Sequence, residues 1–307
     1  MIEPLEDIVR HWGVEPTSMK TLPLHPNVTK VKGEGKTFYL KRREYSSFEN
    51  RMEELYLTSY IISYGLNVES PILTSSQLPY VKEGEQIYSF YEALEGTPLK
   101  KFSIESLTDA GKYLATLHLI LKEYQSHNEV KGWEIERHVR EWMNELDSES
   151  IGRRGQGILS KMKWRGTIYE DLPHQIVHSD YNPGNILMQG GKVSGIIDFE
   201  RIRSAPRIAD IGYFLAGMLK GIPAEKKDHS IEWIMAFMKG YESHDFLTSG
   251  EKRMLPSIVT LFLLQYAFFY FQQGYSEVGS SCLDFIEELI ESAHFHGVFQ
   301  YEKEKLE

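Results

Sequence analysis

Apolar residues at Ile2, Leu5, Ile8, Val9 and Trp12 share one face of a short N-terminal helix. Three extended runs follow: "SMKTLPL" at 18–24, "NVTKVKG" at 27–33 and "KTFYLKRR" at 36–43. The second and third alternate polar and apolar positions across Gly33-Glu34-Gly35, which predicts a hairpin. "SSFENRMEELYLTSYIISYGL", 46–66, reads as a helix that Ser46 or Ser47 can cap, with Glu49 in its first turn and a stop near Gly65. Strand candidates "SPILTS" (70–75) and "QIYSFYEAL" (86–94) complete a small sheet with one helix packed on it.

The pattern changes at "LEGTPLK". Helical spacing covers 103–122 and 132–147, short strands return at "HQIVH", "NILMQ" and "VSGIIDF", and beyond Pro206 nearly everything reads as helix. The expected class is α+β: a strand-rich lobe over residues 1–94 and a helix-rich lobe over 95–307, with the boundary near Leu94–Gly96. Repeats and low-complexity tracts are absent. The most apolar run, Ile258 to Phe271, is too short to cross a bilayer and carries Gln265 in its middle, so it predicts a buried helix.

Composition narrows the partners. With 41% hydrophobic and 25% charged residues the chain is an ordinary soluble globular one. A net charge of −10 argues against nucleic acid as the main partner, because phosphate backbones need clustered Lys and Arg. The one cysteine, Cys282, allows no internal disulfide and no thiol-rich metal site, and it fits a small core residue. The N-terminus lacks the charged and apolar regions of a signal peptide. These features point to a cytoplasmic protein with no membrane partner.

Two motifs suggest chemistry that their context denies. "GEGKT" at 33–37 ends like a phosphate-binding loop, but Lys30 stands where the leading glycine belongs, and a strand follows rather than a helix. His174, His178 and Asp180 could serve a metal-dependent hydrolase, yet their segment is strand-like before Asp180 and nothing obvious completes the site.

"HSDYNPGNIL", 178–187, is different. Phosphoryl transfer needs in-line positioning, metal ions on the phosphates and a carboxylate that accepts a bond from the attacking hydroxyl. Asp180 can orient the hydroxyl, Asn185 can ligate magnesium, and Pro183-Gly184 can hold the loop so that both face one cleft. Thirteen residues on, Asp198 ends the apolar run of "GIIDFE". The Gly190-Gly191 turn makes the intervening stretch a hairpin that returns Asp198 beside Asn185. Lys41, late in "TFYLK", can project into the cleft towards phosphates. The following helix offers Glu54 as an ion-pair partner for Lys41, with Glu53 and Glu49 as rivals on the same helix.

Together, "HSDYNPGNIL" and "GIIDFERIRSAPRIADIGYFLAG" resemble the catalytic core of the aminoglycoside phosphotransferase and choline kinase superfamily. That group includes homoserine-kinase-type and kinase-like spore-coat proteins. "TFYLKRR", "EELYLTSYIISYGLNVESPIL", "YSFYEALEGTPL" and "YLATLH" resemble its lysine strand, helix, hinge and first large-lobe helix, and the likeness covers about residues 18–220. The resemblance implies a bilobal protein-kinase-like fold that uses ATP and Mg2+. It implies that Asp180 is the catalytic aspartate, Asn185 and Asp198 are metal ligands, and Lys41 and Glu54 form the phosphate-binding pair. Glu92 to Leu94 would meet the adenine, and His178 and Asp210 would support the loop. The first turn, "LPLHPN", departs from the family in having no glycine. The implied activity is transfer of a γ-phosphate to a small alcohol. Glu134, Glu136, Asp228 and Glu232 could receive an amine on that alcohol, although exposed helix faces account for them more simply. The alternative is a non-catalytic kinase-like scaffold or spore-coat-associated protein.

Overall fold

The computed structural model describes residues 4–44, 48–146, 148–162, 166–220 and 229–300. Helix α1 (Leu5–Arg10) buries Ile8 and Val9, and the Trp12 indole that follows donates to the Ile72 carbonyl at 2.8 Å. Strands β1 (Ser18–Leu22), β2 (His25–Gly33) and β3 (Lys36–Glu44) lead into helix α2 (Phe48–Ser63), and β4 (Val81–Glu83) and β5 (Gln86–Glu92) follow. They form an antiparallel sheet in the order β1-β2-β3-β5-β4.

The two-residue period assigns the faces of β3. Phe38 and Leu40 join Val31, Phe90 and Trp12 in one core, which leaves Lys41 on the opposite face. Glu34 (φ 53°) and Gly35 (φ 76°) make the left-handed two-residue turn that closes β2 on β3, which disposes of the phosphate-loop reading of "GEGKT". Leu22 pairs with His25, so Pro23 and Leu24 alone form the β1–β2 tip, with Leu24 88% exposed.

"SPILTS" makes isolated bridges rather than a strand, because Pro71 has no N–H to give to a ladder. Pro71 pairs with Tyr91 of β5, while Val68 just before it pairs with Ile196 far along the chain. The Ser46 and Ser47 caps lie outside the described residues.

Beyond Leu94, β6 (Thr97–Pro98) begins a three-stranded sheet that β8 (Ile186–Gln189) and β9 (Lys192–Ile196) complete. β7 (His174–Val177) pairs with β10 (Arg203–Pro206). The remainder is helical: α3 (Ile104–Glu123), α4 (Ile135–Asn144), α5 (Glu149–Lys161), α6 (Gly166–Glu170), α7 (Ile208–Leu219), α8 (Ser230–Glu242), α9 (Ser249–Gln272), α10 (Ser276–Glu291) and α11 (Ala293–Gly297). Helices α3 and α8 cross so closely that a Cβ on Gly240 would stand 2.0 Å from the Thr108 carbonyl oxygen. Helix α9 is long and apolar enough to cross a membrane, but it packs against α4, α7 and α10 with most of its apolar run buried. Cys282 is buried beside it, donating to the Leu263 carbonyl.

Candidate active site

The loop from His178 to Asn185 is held from below by a buried carboxylate. Asp210, in the first turn of α7, accepts the backbone N–H of His178 at 2.8 Å and of Ser179 at 2.7 Å. The His118 ring stands 3.1 Å from the same carboxylate and reaches the Tyr241 hydroxyl with its other nitrogen. Two adjacent N–H groups can converge on one carboxylate because Ser179 adopts a left-handed φ of 61°.

The His178 tautomer follows from its partners. Nε2 can only donate to the Ile197 carbonyl at 3.1 Å, so Nδ1 accepts the Asp180 N–H at 3.1 Å. The ring ties the loop to the end of β9 and has no lone pair left for a metal. His174, the other histidine of the rejected metal motif, is exposed at the start of β7.

The Asp180 carboxylate receives the amides of Asn182 at 2.9 Å and Asn185 at 3.0 Å. Burial pushes its carboxyl above the ordinary aspartate range, and the Tyr213 hydroxyl is a further bonded neighbour. Asn185 Nδ2 also donates to the Asp180 carbonyl at 3.0 Å. The amide nitrogen is thus engaged, and Asn185 Oδ1 accepts no bond among the described residues. The Ile197 N–H donates to the Asn185 carbonyl at 3.0 Å, so the hairpin returns Asp198 to this loop as its turn predicted.

Asp198 also has a left-handed backbone, with φ 76°. Burial opposes its charge, but Lys41 and Arg43 outweigh this and hold its carboxyl below the ordinary range. Lys41, 7% exposed, lies over the Tyr91 ring and donates to Glu69 at 2.6 Å and to Asp198 at 3.2 Å. Burial opposes the Lys41 charge too, yet Glu69 and Asp198 raise its pKa.

This corrects the expected partner. Glu54 is fully buried, but its carboxylate takes Arg51 at 2.8 Å and the Tyr91 hydroxyl at 2.8 Å, and burial pushes its pKa up. Lys41 bonds Glu69 instead, because Glu69 N–H donates to the Ile196 carbonyl at 2.8 Å and Glu69 Oε2 also accepts Asp198 N–H at 3.1 Å. Glu53 and Glu49 are not the partner either: Glu53 accepts Tyr124, His127 and Asn128, and the Glu49 side chain is exposed.

Glu200 was also absent from the expected set. It accepts Arg43 at 2.6 Å and lies 3.8 Å from Arg51, so it links the residues after Asp198 to β3 and α2. Its signal lay in the third position of "DFE". Glu69 carried only the faint signal of a lone acid in "NVESPIL".

Glu92 is exposed and paired with Lys36 at 2.9 Å, while Ala93 N–H donates to the Thr37 carbonyl. Glu92 and Leu94 line an open cavity of about 450 Å³ together with Val68, Ser70 and Ser194. The acids proposed for an amine are engaged at the surface. Glu134 pairs with Arg137, Glu136 with Arg140 at 2.6 Å, and Glu232 with His229 at 3.3 Å, while Asp228 lies outside the described residues.

The fold joins a small antiparallel sheet to a mostly helical region, with a lysine-anchored acidic cluster linking the two. The profile of the phosphotransferase enzyme family (APH) matches residues 25–250, and the chain belongs to that family. Homoserine kinase of Gluconobacter oxydans strain 621H is 26% identical over 213 residues, which is 66% of this chain and 64% of that protein. Homoserine kinase of Zymomonas mobilis is 23% identical over 59% of this chain and 60% of its own length. The chain thus spans less than two thirds of either relative.

Among solved structures, an amicoumacin kinase in complex with AMP-PNP and Ca2+ superimposes with a TM-score of 0.76 at 20% identity, over 94% of this chain and 92% of that one. A microcompartment-associated aminopropanol kinase superimposes at 0.72 and 17% identity, over 96% and 95%. At these identities the likeness establishes the fold.

Proposed function

We propose that the protein is a small-molecule kinase that transfers the γ-phosphate of ATP to the hydroxyl of a small alcohol. Residues 1–94 would hold the nucleotide, and residues 95–307 would supply catalysis and the acceptor pocket. One observation carries the reading: Asp180 and Asn185 on one braced loop, Asp198 just after β9 and Lys41 on β3 belong to one bonded cluster.

Each residue then has a role. Asp180, aimed by the amides of Asn182 and Asn185, accepts a hydrogen bond from the acceptor hydroxyl and aligns its oxygen with the phosphorus. Lys41 neutralises phosphate oxygens, and Glu69 holds its ammonium in place. Asn185 Oδ1 and the ionised Asp198 carboxylate form the all-oxygen donor set that suits Mg2+. A bound Mg2+ would screen the phosphate charge. The backbone from Glu92 to Leu94 would meet the adenine. Lone buried Cys282 suits a reducing, cytoplasmic setting.

The test is calorimetric titration of ATP and GTP, with Mg2+ and with chelator, into the protein and its Asp198→Ala and Asp180→Ala variants. The expected result is Mg2+-dependent binding that Asp198→Ala weakens. Asp180→Ala should keep binding but lose phosphoryl transfer by roughly a thousandfold or more. Binding of neither nucleotide would overturn the kinase and leave the scaffold reading.

A further inference from the structure

Two arginines soon after Asp198, Arg201 and Arg203, hold no carboxylate in an ion pair among the described residues. Among the described residues, every arginine shielded from solvent holds a carboxylate, with one exception. Arg43 has Glu200 at 2.6 Å, Arg51 has Glu54 at 2.8 Å, Arg154 has Glu287 at 2.8 Å, and Arg207 has Glu251 at 2.7 Å. Arg203 has none. Its Nη1 turns back onto the carbonyls of Ile202 at 3.1 Å and Arg201 at 3.4 Å, and its remaining guanidinium donors meet no described acceptor. Arg201, exposed beside it, makes no side-chain bond or ion pair among the described residues, although its charge acts on the Asp180 carboxylate. In a chain with 44 acids against 34 basic residues, such pairing was readily available.

These arginines adjoin the acceptor side of the catalytic loop. Ser179, one residue before Asp180, donates its hydroxyl to the Arg201 carbonyl, and Arg203 stands opposite Val177 in the β10–β7 pair. An aromatic wall continues from them. Trp133 N–H donates to the Ser204 carbonyl at 3.1 Å, and the Trp133 ring lies 5.8 Å from Tyr213. Tyr213 lies 5.9 Å from Tyr266, whose face carries the Lys220 ammonium at 3.6 Å. Desolvation lowers the pKa of both Arg203 and Lys220, helped at Arg203 by the neighbouring Arg201 charge and partly offset at Lys220 by the Asp180 carboxylate.

Resting on the kinase reading above, we infer that Arg201 and Arg203, with Lys220, receive an anionic group of the acceptor alcohol, a carboxylate or a phosphate. A planar guanidinium with free donors suits either anion. The aromatic wall would flank the carbon chain between that anion and the hydroxyl at Asp180. The acceptor is thereby narrowed to hydroxy acids, including amino acids with a side-chain hydroxyl, and phosphorylated alcohols.

The experiment compares matched acceptors by coupled ADP release at saturating Mg-ATP. L-homoserine is set against 3-aminopropanol, which lacks only its carboxylate. 4-Hydroxybutyrate is set against its amide, and glycerol 3-phosphate against glycerol. At least one anionic member should exceed its neutral or cationic counterpart in kcat/KM by about tenfold or more, and the pair that does so identifies the anion. Arg201→Ala and Arg203→Ala should raise KM for that acceptor and collapse the ratio, with Arg203→Lys retaining part of it. Equal or better use of the uncharged partners, a ratio unchanged in both alanine variants, or no transfer to any anionic alcohol would overturn the inference. Calorimetry of Mg-ATP on each protein keeps the readings apart. Nucleotide binding with the wrong acceptor preference sinks only this inference, whereas no binding by the unsubstituted protein sinks the kinase as well.

Discussion

Replacing Glu69 with glutamine isolates the carboxylate on which the Lys41 ammonium depends. Glu69 Oε2 takes Lys41 at 2.6 Å and Asp198 N–H at 3.1 Å, and its side chain is only 5% exposed. Removing one member of a buried ion pair costs about 3–5 kcal/mol. Glutamine keeps one neutral acceptor, so the expected loss is smaller, about 2–3 kcal/mol, or roughly 30- to 150-fold in an affinity. The remaining partner, Asp198 at 3.2 Å, would be drawn to Mg2+ when nucleotide binds and cannot compensate. Glu69→Gln should therefore weaken Mg-ATP binding, and lower kcat/KM for ATP, by about that factor. Glu54→Gln serves as the comparison, since Glu54 bonds Arg51 and Tyr91 rather than Lys41. It should cost about 1–2 kcal/mol of stability while Mg-ATP affinity stays within about threefold. Calorimetry and urea denaturation of both variants measure these quantities. Nucleotide affinity falling as far in Glu54→Gln as in Glu69→Gln would refute the assignment.

Asp210→Ala removes the acceptor of His178 N–H, Ser179 N–H and His118 at once. Urea denaturation should show about 3–5 kcal/mol less stability. Gly240→Ala drives a Cβ into the Thr108 backbone and should cost at least about 2 kcal/mol. Gly157→Ala, on a helix with nothing within 4 Å, should be neutral or slightly stabilising in the same assay. Burial opposes the charge on Glu251, but Arg207 and the Thr248 N–H and hydroxyl, which donate to the carboxylate, outweigh it and hold the carboxyl below its ordinary value. A depressed folded pKa stabilises above the unfolded value and is lost as pH falls through the folded one. Glu251→Gln should therefore destabilise at pH 7, and its deficit should shrink below about pH 4, as denaturation at the two pH values would record.

The site was legible where function is compressed into contiguous chain. The histidine, aspartate and asparagine of 178–185 share one loop, and a single hairpin turn is enough to return Asp198 to it. Lys41 likewise stood out from its place late in "TFYLK", and the structure sets it on the face opposite Phe38 and Leu40. Glu69 was not legible, because its role arises from a bridge between Val68 and Ile196 that no local pattern announces. The family resemblance instead favoured Glu54, which is buried but consumed by Arg51. "SPILTS" looked like a strand from its apolar residues, yet Pro71 limits it to isolated bridges. The short polar β4, Val81–Glu83, exists mainly because β5 offers it an edge. Pairing status was equally invisible: Arg203 and Arg207 read alike in "RIRSAPR", and only the fold gives one a carboxylate and leaves the other without.

The tip between β1 and β2 has a consequence for how nucleotide would be held. Pro23 and Pro26 stand on either side of Leu24 and His25, and proline has no N–H to offer a phosphate oxygen. Under the proposed kinase function, a tip so poor in donors would transfer the neutralisation of a triphosphate to Lys41 and the divalent ion. Affinity for ATP should then collapse on chelation and decline steeply with added salt. A free nucleoside such as adenosine, which carries no phosphate, should bind almost indifferently to either treatment.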